Sequence, residues 1–296
     1  MSAGTNFYNY FKSQTPPSVV AKINEIYSQV DPLLISFYRT RTGWNKPIPP
    51  FELRRITAKR SVDDYVKSGE RIVRSLIDGL NSVGEDINNF PNILDFGCGA
   101  GRQVQYFYEN KKLKITACDP NESHIQWLSP QYPLANFSVS KFDPPLPFAA
   151  ESFDLVYSVS VFTHLSEKAQ FNWLTDLKRV LRPGGIALLT TLGQYAAQLT
   201  DKTSTTKRRD INEPEIFSKA LLEQKFLFYV PESYHQVNKF INPDSVADEE
   251  MYGIAWHSQE YLTNNWSQYF EILNIIPGCI DSSQDLVILR KSSEKK

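Results

Sequence analysis

Residues 93–101 read ILDFGCGAG, an apolar run ending in a carboxylate, Asp95, and followed by glycines at alternate positions, Gly97, Gly99 and Gly101. Glycine accepts positive φ and carries no Cβ, so a ligand can lie against the peptide planes of such a loop. A helix beginning near Gly101 aims its free N–H groups at the same place and favours an anionic group there. Dinucleotide-binding loops follow GxGxxG, and the third position of that pattern is Arg102 in this chain. Asp119 ends the stretch KITACD, 22 residues beyond Gly97. At that separation a carboxylate meets the ribose hydroxyls of a nucleoside lying across a sheet edge. Asp143 follows NFSVSKF, a place where a carboxylate can accept from an exocyclic amine. Of the four histidines, His164 in VFTHLSE and His257 in YGIAWHSQEYL are the best placed for a general base. His124, at a helix start, and His235, in a polar stretch, are weaker candidates. No cluster of histidine, cysteine and acidic residues has metal-ligand spacing, so no metal is expected.

These groups act together only if strands and helices bring them to one rim. NILDF, KITACD, NFSVSKF, FDLVYSVSVF and GIALLTTL are short apolar strand-like runs. RQVQYFYEN and EKAQFNWLTDLKRVL lie between them with helical character, and Pro183-Gly184-Gly185 stops the second. Alternating β and α units predict a parallel sheet with helices on both faces. The carboxyl ends of its first three strands then carry Asp95, Asp119 and Asp143 to one crevice. After a further helix, SQEYLTNNWSQYF, the runs EILNIIP and DLVILRK supply two last strands. Upstream, Val19, Val20, Ile23, Ile26, Tyr27 and Val30 follow helical spacing, and NKPIPPF breaks it. A stronger helix is expected over 61–80, opened by Ser61 with Asp64 in a capping arrangement. Gly69 sits in its apolar stripe at a cost of ~1 kcal/mol relative to alanine, which suits close packing on a neighbour or the approach of a ligand. The expected organisation is an N-terminal helical cap over 1–90 and an α/β domain over 91–296. A lid-like insertion at about 193–255 interrupts the domain, and its DKTSTTKRRD stretch reads as a solvated loop or lid.

The chain has 296 residues, 41% hydrophobic and 22% charged, which is ordinary for a globular protein with a sizeable core. Its 32 basic and 33 acidic side chains leave a net charge of −1, with no field that favours nucleic acid or membrane lipid. Cys98, Cys118 and Cys279 are odd in number and form no CxxC pair, which fits reduced thiols. No apolar run approaches a membrane span, and MSAGTNFYNYFKSQTPP lacks the features of a signal peptide. A cytoplasmic location is the expectation.

In the order LDFGCGAGR, CDPN, KFDPPLPF, FDLVYSVSVFTHLSE, LKRVLRPGGIALLTT and EILNIIPG with QDLVILRK, the sequence resembles the class I S-adenosylmethionine-dependent methyltransferases, especially their small-molecule branch. The resemblance covers roughly 90–192 and 256–291. It implies a Rossmann-like seven-stranded, mostly parallel sheet with an antiparallel last strand, helices on both faces and S-adenosyl-L-methionine as cofactor. Carried over, the family's roles place Gly97, Gly99 and Gly101 behind the methionine part of the cofactor, with Asp95 ordering the loop and reaching the amino group through water. Asp119, followed by Pro120, would bind the ribose hydroxyls. Phe142 and Asp143 would meet the adenine, and Ser158 and Val159 would border the sulfonium. Tyr229, Tyr234, Tyr252 and Trp256 make the stretch before the last helix rich in aromatics suited to an acceptor pocket. The function implied is methyl transfer to the oxygen or nitrogen of a small molecule in secondary or carbohydrate metabolism, with His164 or His257 as base. Three alternatives stand beside it: a cofactor-binding scaffold that methylates nothing, a macromolecule methyltransferase, and an NAD-dependent oxidoreductase, the last disfavoured by Arg102.

Overall fold

In the computed structural model the described residues are 17–56, 61–203, 216–230 and 251–293. Five strands, β1 (Asn92–Phe96), β2 (Lys114–Asp119), β3 (Asn136–Val139), β4 (Phe153–Ser158) and β5 (Leu181–Thr191), pair in parallel. β8 (Glu271–Ile280) and β9 (Gln284–Arg290) complete a seven-stranded sheet of order β3-β2-β1-β4-β5-β9-β8. β9 runs antiparallel to both of its neighbours. This is the expected α/β architecture, with the strand order reversing between β1 and β4.

Each central strand is apolar on both sides because both faces are covered. Leu94, Val156 and Val287 point into one layer with Leu174 and Leu177 of α6 (Glu167–Val180) and Trp266 of α9 (Gln259–Trp266). Their chain neighbours Ile93, Leu155 and Ile288 point the other way, onto Ile72, Leu76 and Leu80 of α3 (Val62–Ser82). Ser61 caps α3 by accepting from the Asp64 amide at 3.1 Å, and Asp63 and Asp64 in its first turn suit the helix dipole. Gly69 carries out close packing: a Cβ there would meet the Arg102 carbonyl and the Tyr106 ring of the short α4 (Val104–Phe107).

The first helix, α1 (Pro17–Thr42), extends beyond its expected stripe and turns that stripe outward. Val19, Ile26, Tyr27 and Val30 are exposed, whereas Asp31 and Tyr38 are buried. The reason is a polar anchor. Arg54 of α2 (Phe51–Ile56) is fully buried and reaches Asp31 Oδ1 at 2.5 Å and the Pro49 carbonyl at 2.5 Å, while Asp31 Oδ2 accepts from the Phe51 amide. An unpaired buried guanidinium costs several kcal/mol, so this pairing decides which side of α1 faces inward.

The insertion is more structured than a loop. It contains α7 (Gln194–Thr203), α8 (Ile216–Gln224) and the antiparallel pair β6 (Phe226–Tyr229) and β7 (Ile254–His257). Ala196, Ala197, Leu221 and Trp256 give it a small core of its own. Most of DKTSTTKRRD, together with Tyr234 and His235, lies outside the described residues. Among the described residues no helix is long and apolar enough to cross a membrane.

Candidate active site

β1 ends at Phe96 and the chain enters the glycine loop with φ of +81°, +51° and +78° at Gly97, Gly99 and Gly101. Side chains rarely adopt these conformations, and a Cβ at Gly97 or Gly101 would also collide with Val161 or Leu128. The loop is tied to β2. The Gly97 and Cys98 amides donate to the Cys118 carbonyl at 2.9 and 3.0 Å, and Gly101 donates to the Cys98 carbonyl at 3.0 Å. Asp119, at the end of β2, accepts from the Gly99 amide at 2.8 Å through Oδ2 and from the Asn121 amide at 2.9 Å through Oδ1. Its Oδ1 also lies 3.2 Å from Nδ1 of buried His124 on α5 (Glu122–Gln131). With Nδ1–H donating to that carboxylate, the His124 Nε2 is buried and has no partner among the described residues.

Asp95 is 2% exposed and accepts from the Tyr157 hydroxyl at 2.7 Å. The two residues are register partners on β1 and β4, which is what brings them together. Burial pushes the Asp95 carboxyl up to about 7; the Tyr157 bond opposes that and the negative field of Asp119 adds to it. A buried carboxylate whose hydrogen-bond donor is one neutral phenol is a place for a cationic group. The donor set therefore fits the ammonium end of an amino-acid-bearing ligand, and of the three carboxylates expected at this crevice the structure sets Asp95 and Asp119 on adjoining strands beside the glycine loop.

Other predicted residues fall less neatly. Pro120 is half-buried beside Asp119, and Phe142 is half-buried beyond β3. Asp143 is exposed in the following loop and makes no hydrogen bond among the described residues. The Ser158 hydroxyl turns inward and donates to the Phe96 carbonyl at 2.8 Å, so this residue can meet a ligand through its backbone alone. Val159 packs against the sheet layer under α3.

The histidines separate clearly. His164 follows β4, and its Nδ1–H donates to the Gly253 carbonyl at 2.8 Å while its ring stacks on Tyr252 at 5.1 Å. That bond fixes the tautomer with the lone pair on Nε2, and burial lowers its pKa, so the ring is neutral at pH 7. The Gly253 amide returns a bond to the His164 carbonyl at 2.7 Å, joining the end of the insertion to the rim. His257 is instead a core residue, 1% exposed. It sits among Phe226, Tyr261 and Trp266, with Nε2 2.9 Å from the Gln170 amide oxygen. Burial pushes its pKa down to about 3. Placing His257 over an acceptor is corrected: β7 carries its ring inward.

Sequence reasoning missed three residues at this rim. Tyr157 was readable only as a strand position. His124 was set aside as a helix start, although Asn121 caps that helix and turns the imidazole back onto Asp119. Ser160 adopts φ +63°, uncommon for serine, with its amide held by Thr190 Oγ1 at 2.8 Å and its hydroxyl accepting from Gln284 at 2.7 Å.

A family model described as "Methyltransferase domain" matches residues 93–185. A malonyl-[acyl-carrier protein] O-methyltransferase of Salmonella typhimurium is 31% identical over 105 residues, 36% of this chain and 40% of that protein. O-methyltransferase rstn1 of Aspergillus nomiae is 31% identical over 121 residues, 39% of this chain and 50% of that protein. The alignments thus span half or less of these two relatives' own length. Among solved structures, the Burkholderia thailandensis 1,6-didemethyltoxoflavin-N1-methyltransferase superposes with a TM-score of 0.49 at 14% identity, covering 84% of this chain and 93% of that one.

Proposed function

We propose that this chain, which carries a methyltransferase domain over residues 93–185, transfers a methyl group from S-adenosyl-L-methionine to the oxygen or nitrogen of a small-molecule acceptor. The observation that carries the reading is the joint arrangement of Asp119 bound to the Gly99 amide and Asp95 buried one strand away with a single phenolic donor. When bound, the cofactor supplies an electrophilic methyl on a sulfonium. The chain's own residues do the rest. Asp119, oriented by Asn121 and His124, presents a fixed carboxylate to the ribose hydroxyls. Asp95 faces the ammonium. Holding acceptor and donor in line accounts for ~7–11 kcal/mol of barrier lowering in well-oriented reactions, so no enzyme nucleophile is required. A hydroxyl acceptor loses its proton to His164, whose ring is held in place by the Nδ1–H bond to the Gly253 carbonyl. The carbonyl of Gly253 then stabilises the imidazolium that forms. The near-neutral chain favours a small molecule over a nucleic acid as acceptor, and the O-methyltransferase names of two relatives support oxygen as the atom methylated.

Isothermal titration with S-adenosylhomocysteine and, separately, NADH tests the reading. Saturable binding of the first and none of the second is expected. Heat from NADH alone overturns the assignment in favour of an oxidoreductase, and heat from neither overturns it in favour of a degenerate fold.

A further inference from the structure

One turn of α3 grips the glycine loop from outside the sheet. The Tyr65 hydroxyl donates to the Ala100 carbonyl at 2.8 Å, with the whole tyrosine 1% exposed. On the same turn Ser68 Oγ accepts from Arg102 Nη1 at 3.2 Å, the Val66 carbonyl accepts from the Tyr106 hydroxyl at 2.7 Å, and Gly69 leaves room for the Arg102 backbone. Ala100 lies between the second and third glycines, and its carbonyl shares a peptide plane with the Gly101 amide. Gly101 has φ +78° and no side chain, so nothing on the glycine itself resists a flip of this peptide. A flip would break the Gly101 bond to Cys98 and swing a carbonyl oxygen toward the space where an anionic or ribose group is to be received.

We propose that Tyr65 is a positioning residue for the cofactor site: its hydroxyl locks the Ala100–Gly101 peptide so that the glycine loop is preformed, which makes α3 a working part of the site. This rests on the cofactor reading above for its consequence in binding, but not for its consequence in the loop. The phenol is suited to the task because the Tyr65 hydroxyl, fully buried, stays protonated far beyond neutral pH and therefore always donates. The contact also spans 35 residues of sequence, so a locally flexible turn is held by a helix that is itself anchored in the sheet layer through Ile72, Leu76 and Leu80.

The test uses the full chain and two variants that each remove one α3 hydroxyl bonded to a main-chain carbonyl. Tyr65→Phe removes the bond to Ala100. Ser75→Ala removes the bond to Cys279, 2.9 Å, in the C-terminal half of the same helix. Amide exchange by NMR and titration with S-adenosylhomocysteine are the readouts, with a thermal melt to confirm folding. Tyr65→Phe should speed Gly101 exchange about tenfold relative to the Leu94 amide and weaken binding about tenfold, the worth of one lost hydrogen bond. Ser75→Ala should do neither. Unchanged Gly101 exchange in Tyr65→Phe, or equal effects from Ser75→Ala, overturns the proposal. If wild type binds no S-adenosylhomocysteine while Tyr65→Phe still frees Gly101, the cofactor reading fails and the lock stands.

Discussion

At the scale of single residues the site depends on groups that are held before any ligand arrives. Asp119 has its two oxygens oriented by the Gly99 and Asn121 amides and by His124, so its replacement removes the proposed ribose acceptor together with a tether of the loop. Asp119→Ala should raise the Kd for S-adenosylhomocysteine at least tenfold, about 1.4 kcal/mol; an unchanged isotherm rejects the ribose role. His164 is a different case, since its ring is held by Tyr252 and the Gly253 carbonyl at the end of the insertion. His164→Ala should lower kcat with an identified hydroxyl acceptor by about 10²–10⁴-fold and leave cofactor affinity within twofold. Wild-type turnover in that variant would remove His164 from the mechanism. Asp95, Asp119 and the three glycines could be located from the sequence because each sits at a fixed offset from a strand end, whereas Asp143, placed by the same reasoning, stands exposed in the loop after β3. Tyr157 and Ser160 were not, because their roles come from register and from contacts with distant strands.

At the scale of elements, the fold was legible wherever hydrophobic period and turn chemistry agreed. All five parallel strands fall where their apolar runs place them, and Ser61 caps α3 as its spacing with Asp64 suggests. α1 shows where the method stops. Its apolar stripe points the helix one way, and the buried Asp31–Arg54 pair turns it the other. Periodicity carries no information about an ion pair formed 23 residues apart. The same physics fixes what happens when the pair is broken. Arg54→Ala strands a buried carboxylate and should cost about 3–5 kcal/mol in urea unfolding, whereas Arg55→Ala, which removes an exposed pair with Glu52, should cost under about 1 kcal/mol. Equal losses would show that the Asp31–Arg54 pair is as solvated as its neighbour. The short apolar elements of the insertion were not legible for a related reason: the polar DKTSTTKRRD, which starts at the end of α7 and precedes α8, dominates the composition of the stretch.

At the scale of the whole molecule two buried titratable groups oppose each other in acid. Asp95 is raised from 3.8 to about 7, so its contribution to stability is full below pH 3.8 and is lost as pH rises through 7. His257 is lowered from 6.5 to about 3, so its contribution is full above pH 6.5 and is lost as pH falls toward 3. Between pH 4.5 and 6.5 the slopes have opposite sign and similar size, about 1.4 kcal/mol per pH unit each. Asp95→Asn removes one of them. Its unfolding free energy should therefore drop relative to wild type by about 1.4 kcal/mol for each unit of acidification across that window, measured by urea titration of the unliganded protein. Parallel curves would mean that Asp95 is ionised throughout. The strand order has a further result that concerns solutions of many copies. The two rims of the large sheet are β3, only four residues long, and β8, which is interrupted by Pro277 and by register shifts at Ile272/Asn274 and Ile276/Ile280. Neither presents a straight row of amides on which a second molecule could template itself, so concentrated samples should resist the strand-to-strand stacking that precedes fibrils.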